Sequence, residues 1–150
     1  EYLTKFYEPA AQQWRRYAQS EFAAAREVAT WKAKVRAAWN KLSVRRIDNP
    51  LRRIAFGDNL RFEVAVNLNG LTADDVIVEL LLGRPSDGDR PEQARSYRFK
   101  DEGPIAGGSE HRYVLEFTPE LCGKIEYRIR VYPYHRLLTH RFEMGMMTWL

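Results

Sequence analysis

The apolar residues of this chain change period once, at Leu42, and that change limits the folds open to it. Before Leu42 they recur at spacings of three and four, one stripe of a helix. After it they alternate, one face of a strand. On a helical wheel Ala24, Val28, Trp31, Val35, Ala38, Trp39 and Leu42 fall within about 100°, the width of a core-facing stripe. Arg26, Lys32, Lys34, Arg36 and Lys41 lie outside it. Leu3, Phe6, Tyr7, Ala10, Trp14 and Tyr17 form an earlier stripe, interrupted by Pro9. A proline inside a helix lacks the N–H and crowds the preceding turn, so it kinks the helix or starts a new one. Ser20 has the chemistry of an N-cap. Two amphipathic helices are therefore expected. The first stripe is already under way at Glu1 with no capping signal before it, as in a chain cut from something longer.

The second part reads as about seven short strands. Ser43–Ile47 comes first. Phe62, Val64, Val66 and Leu68 alternate with Arg61, Glu63, Ala65 and Asn67, and Asn69-Gly70 ends the run. Val76–Leu82 is more evenly apolar and is closed by Gly83. Residues 84–93 are a loop. Ala94–Lys100 carries Tyr97 and Phe99, and a glycine-rich turn over Gly103–Ser109 follows. Tyr113, Leu115 and Phe117 alternate, as do Ile125, Tyr127, Ile129 and Val131, and then Phe142, Met144, Met146 and Thr148. Parallel sheets need helical crossovers, and none lies between these strands. The expected fold is mainly β, an antiparallel immunoglobulin-like sandwich behind two helices. The expected units are residues 1–42 and residues 43–150.

Hydrophobic residues make up 45% of the chain and charged residues 29%, the balance of a folded globular protein. The apolar runs, such as Leu80-Leu81-Leu82, fall far short of the roughly 20 residues of a membrane span. A single cysteine, Cys122, makes no internal disulfide. A soluble, cytoplasmic protein without a membrane partner is expected. Residues 1–56 hold 12 Lys and Arg against 5 Asp and Glu, and the remainder 12 against 15. A basic helix without a binding motif is read as a solvated or inter-domain face, and no nucleic-acid partner is expected.

No catalytic or metal motif emerges. His111, His135 and His140 have no ligand spacing among themselves or with Cys122. Ser109 follows Gly107-Gly108 in a hairpin loop, and the glycines at 103–108 lead into a strand, where a phosphate cradle needs a helix N-terminus. Asp74-Asp75 and Asp87-Gly88-Asp89 belong to turns, where aspartate bonds the backbone. Trp14, Trp31 and Trp39 lie on helical stripes and are assigned to the core. Tyr132, Tyr134 and His135, around Pro133, remain as candidates for stacking on a sugar.

Several segments resemble a known family. Glu1-Tyr2 with Phe6-Tyr7-Glu8-Pro9-Ala10 is similar to the helix near the end of the catalytic core of bacterial α-glucan (glycogen/maltodextrin) phosphorylases. Trp31-Lys32-Ala33-Lys34-Val35 with Trp39 resembles the helix that follows. Residues 78–83, 123–135 and 144–149 resemble strands of the β-domain appended to that core. The resemblance implies a parent enzyme that moves a glucosyl unit between an α-1,4-glucan and phosphate, releasing glucose 1-phosphate, with pyridoxal phosphate on a lysine. The motif around that lysine, a Gly-Thr-Ser-Asn-Met-Lys-like run, is absent from this sequence. The resemblance thus implies no catalytic residue and no cofactor in this segment, with pyridoxal phosphate in the parent only. The implied partners are the catalytic lobe of the parent chain and α-glucan; the large apolar residues of the first stripe, Leu3, Phe6, Tyr7, Trp14 and Tyr17, add an expected self-association through the orphaned N-terminal helix. A free-standing β-sandwich binding module for carbohydrate or protein is the alternative.

Overall fold

The computed structural model describes residues 2–49, 57–88, 90–121 and 123–150, with their side chains except those of 2–11, 13 and 17. The side chains of Leu3, Phe6, Tyr7, Ala10 and Tyr17 of the first stripe, and Cys122 as a whole, lie outside this description. One helix, α1 (Tyr2–Trp39), replaces the two expected. Ser20 is exposed and sits inside α1, not at a start. Pro9 does not end the helix either. It removes one backbone bond, while the Ala-, Gln- and Arg-rich run behind it favours helix at every position.

At 1.5 Å per residue α1 is about 57 Å long, and its fully buried residues among those described lie in the last third. Trp31, Val35, Ala38, Trp39 and Leu42 are buried, with Ala24 and Val28 half-buried, the stripe predicted by the wheel. Trp14 departs from its assignment to the core: it is 73% exposed.

Two antiparallel sheets follow. One has the order β1 (Ser43–Arg46), β2 (Leu60–Asn67), β6 (Glu110–Phe117), β5 (Lys100–Pro104). The other has the order β4 (Glu92–Arg98), β3 (Val76–Arg84), β7 (Glu126–Pro133), β8 (Thr148–Trp149). Inward residues of both join one core with the end of α1: Phe62, Val64 and Val66, Tyr113 and Leu115, Val78, Leu80 and Leu82, Ile129 and Val131. Asn69 and Gly70 both take positive φ, 47° and 90°, in the turn that ends β2. The expected strand Ala94–Lys100 is two strands. Phe99 is buried and its N–H donates to the Val78 carbonyl at 2.8 Å, and there the chain changes sheets. The register of β3 on β4 slips between Leu82 and Arg84. Gly83 occupies the slip, where a Cβ would stand 2.4 Å from the Glu92 carbonyl oxygen.

The Tyr113 hydroxyl is buried in this core without a hydrogen-bond partner among the described residues. Burial, then the Asp101 and Asp74 charges, push its pKa up. An unpartnered buried hydroxyl costs about 1–3 kcal/mol. Tyr113→Phe removes it and keeps the ring, so the urea midpoint is expected to stay level or rise. A loss above about 1 kcal/mol, the worth of a formed bond, would show that the hydroxyl is satisfied.

Candidate functional site

The end of α1 meets the sandwich at the short 3-10 turn Ala73–Asp75 and at the chain beyond β7. Asp75 is the hub. Its carboxylate accepts the Trp31 indole N–H at 2.9 Å, the Lys34 ammonium at 3.3 Å and the Thr72 backbone N–H at 2.9 Å. Burial raises the Asp75 pKa, but Thr72, Trp31 and Lys34 outweigh it and hold the carboxyl below its usual range. The Asp75 carbonyl in turn accepts the Tyr134 N–H at 2.9 Å. His135 packs on Trp31 with ring centroids 5.1 Å apart. Its Nδ1 accepts the Leu137 N–H, and its Nε2 lies 3.3 Å from Glu27. Glu27 also pairs with Arg136, and Lys32 with Glu143 at 3.7 Å. One turn of sandwich and one stretch of C-terminal chain thus fix the angle of the helix.

The same C-terminal stretch covers the outer face of the second sheet. Glu79 and Arg130 are register partners there, both buried. Arg130 Nε donates to Glu79 Oε1 at 2.5 Å, and Nη2 donates to the same oxygen. The Tyr132 hydroxyl donates to Glu79 Oε2 at 3.2 Å. Phe142 and Trp149 lie over the guanidinium, with centroids 4.9 and 5.9 Å from it.

Tyr132, Tyr134 and His135 therefore gather at the junction of helix and sandwich. Tyr132 is 1% exposed, held by Glu79 and met edge-on by Phe142 at 5.0 Å, so it offers no ring face to a sugar. Burial, then the Glu79 charge, push its pKa up. His135 has both ring nitrogens engaged. Tyr134 and His135 are both half-buried, and Tyr134 has no side-chain partner among the described residues. Elsewhere the Ser109 hydroxyl donates to the Asn67 amide oxygen at 3.3 Å, and His111 pairs with Asp101. Among the described residues no group of three His, Cys, Asp or Glu side chains could hold a metal. None of their helices is long and apolar enough to cross a membrane.

Sequence reasoning missed the exposed flank of α1. Phe22 is 69% exposed and lies about two turns beyond Trp14 on the helix. A groove of about 390 Å³ runs beside it, walled by Ala25, Val28 and Ala29 of the helix and by Leu137 and Thr139 of the C-terminal chain. The 3.6 period places Phe22 off the buried stripe, and that spacing is the signal for it.

A family model described as glycogen phosphorylase C-terminal domain matches residues 39–150. The chain belongs to that family. Maltodextrin phosphorylase of Thermococcus litoralis is 32% identical over 154 residues, which take in 99% of this chain and 17% of the relative. Glycogen phosphorylases of Mycobacterium bovis and Mycobacterium tuberculosis are each 33% identical, with the same two coverages. The chain thus spans about a sixth of the length of these relatives. The family match begins at Trp39, in the last turn of α1. The packed unit reaches further back than this glycogen phosphorylase C-terminal domain match, to Trp31.

Proposed function

We propose that this chain is the C-terminal accessory segment of an α-glucan phosphorylase, a glycosyltransferase that phosphorolyses α-1,4-glucans to glucose 1-phosphate. The observation that carries the reading is the pair of coverages: 99% of this chain against 17% of each phosphorylase relative. In this reading residues 1–42 continue the catalytic portion in sequence, with their end from Trp31 packed on the appended β-domain, residues 43–150. The sheet orders support an immunoglobulin-like sandwich. Lettered in chain order, one sheet runs A-B-E-D, and the other holds C-F-G with one added edge strand. The single cysteine of this segment fits a parent that works in the cytoplasm, where thiols stay reduced.

Pyridoxal phosphate, which this reading gives to the parent, needs a lysine free to bond it. The described lysines do not fit. Lys32 is engaged by Glu143 and Lys34 by Asp75, and Lys41, Lys100 and Lys124 project from the surface. No chemical step is assigned to residues of this chain. Its work is mechanical: the Asp75 hub and the C-terminal wrap hold the end of α1 on the sandwich. The chain alone, mixed with glycogen, phosphate and pyridoxal phosphate, is expected to release no glucose 1-phosphate. Release above the enzyme-free blank would contradict the reading.

A further inference from the structure

We infer that the exposed flank of α1 is received by an acidic surface, with an apolar seat for Phe22 and Trp14, in the catalytic portion of the parent chain. The inference rests on the accessory-segment reading and adds the chemistry of the receiving surface. Between Gln12 and Lys41 the helix and its end carry seven Lys and Arg against Glu21 and Glu27. Lys32, Lys34 and Glu27 are engaged with the sandwich and the C-terminal chain. Arg15, Arg16, Arg26, Arg36 and Lys41 are left, exposed and without a carboxylate partner among the described residues, and Glu21 is the only acid beside them. At 100° per residue Arg15, Ala18, Phe22, Ala25, Arg26, Ala29 and Arg36 fall within about 100° of one another, and Trp14 lies at the edge of that arc. Cations, two large aromatics and a wall of the groove therefore share one face.

A second copy of the chain is a poor occupant. Helix against helix would set arginine against arginine, and like charges across an interface are repulsive. Several carboxylates of the sandwich already have cations: Glu63 and Glu116 share Arg61, Glu110 holds Arg45, and Glu120 holds Arg95, while Asp74, Asp87, Glu92 and Glu102 are exposed without one among the described residues. What remains is the chain that the relatives have and this segment lacks, the other 83% of their length implied by the 17% covered. Unpaired cations around an apolar centre call for carboxylates around an apolar recess, the usual complement of charges at a protein interface.

The test uses the intact gene product with two cross-linking chemistries. A photo-reactive phenylalanine analogue at position 22 reports contact whatever the charge. Arg15→Lys and Arg26→Lys keep the charge and give a carbodiimide an amine to couple to any carboxylate in contact. The Lys32–Glu143 pair, 3.7 Å apart, couples in every sample and certifies the reaction. Mass spectrometry is expected to find the photo-adduct and the amide links from positions 15 and 26 on residues outside this chain, the amides in a yield comparable to the internal pair. Photo-adducts without amide links would overturn the acidic surface and leave the accessory reading standing. Adducts to a second copy of the 150-residue segment would overturn the assignment of the partner. No photo-adduct at all would show a free flank and would overturn both.

Discussion

Arg130→Leu is expected to lower the unfolding free energy by about 3–5 kcal/mol, because it leaves the Glu79 carboxylate buried without its cation. Both side chains are under the C-terminal chain, 3% and 5% exposed. Replacing both, as Glu79→Leu with Arg130→Met, removes the charge problem and keeps most of the packing beneath Phe142 and Trp149. Buried pairs replaced in this way often come out neutral, apart from about 1 kcal/mol for the Tyr132 hydroxyl, which loses its acceptor. The double variant is therefore expected to be more stable than the single. Urea denaturation of the two decides it. A single variant within about 1 kcal/mol of the parent, the range of exposed pairs, would show that the C-terminal chain does not seal that face.

Trp31→Ala is the second large effect. It removes a buried indole from the core and the N–H from Asp75. Large-to-small aromatic truncations in cores cost about 3–5 kcal/mol. Trp31→Phe separates the parts, since it keeps a ring and loses a hydrogen bond worth about 1 kcal/mol. The tie also has a pH sign. The folded-state pKa of Asp75 is depressed, so its contribution is complete above the unfolded value of about 4 and fades as pH falls through the lower folded one. Asp48 acts in the same direction: burial raises its pKa, and the Arg46 guanidinium more than offsets that. The acid limb of the stability profile should shrink in Asp75→Asn. An unchanged limb would remove Asp75 from the account, and an unchanged urea midpoint for Trp31→Ala would mean that the helix does not pack as described.

The sequence was most legible where one face carries the large apolar side chains. The stripe from Ala24 to Leu42 and the alternation in β2 both predicted which side chains face the core. It was least legible on the second sheet, which is covered twice. The alternation of Ile125, Tyr127, Ile129 and Val131 places Tyr132 on the opposite face, which is open to solvent in a simple two-layer sandwich. The even apolar run Val76–Leu82 carried the missing signal, since strands buried on both faces lose their alternation. Glu79 inside that run is the residue whose burial needs a partner, and Arg130 supplies it. The cover itself could not be read. Phe142, Met144 and Met146 alternate as a strand would, yet only Thr148–Trp149 pairs with β7, because the preceding residues turn over the sheet. Ser20 misled for a related reason. A capping side chain is a local preference, and a helix continues through it when both flanks favour helix. The chemistry of the junction was half visible. Aspartate in the turn at 74–75 was expected to serve the backbone, and Asp75 does so at Thr72, but Trp31 is 44 residues away in sequence.

Amide hydrogen exchange on the chain alone tests most directly the claim that its end is built into the sandwich while its flank awaits a partner. Amides of residues 31–39 are expected to exchange only through global unfolding, with the same free energy as those of β2, β3 and β7. Amides of residues 14–22 are expected to exchange orders of magnitude faster, since a helical stretch without tertiary packing is marginal in water. Equal protection across residues 14–39 would mean that the flank is already covered in the isolated chain, and would contradict the account.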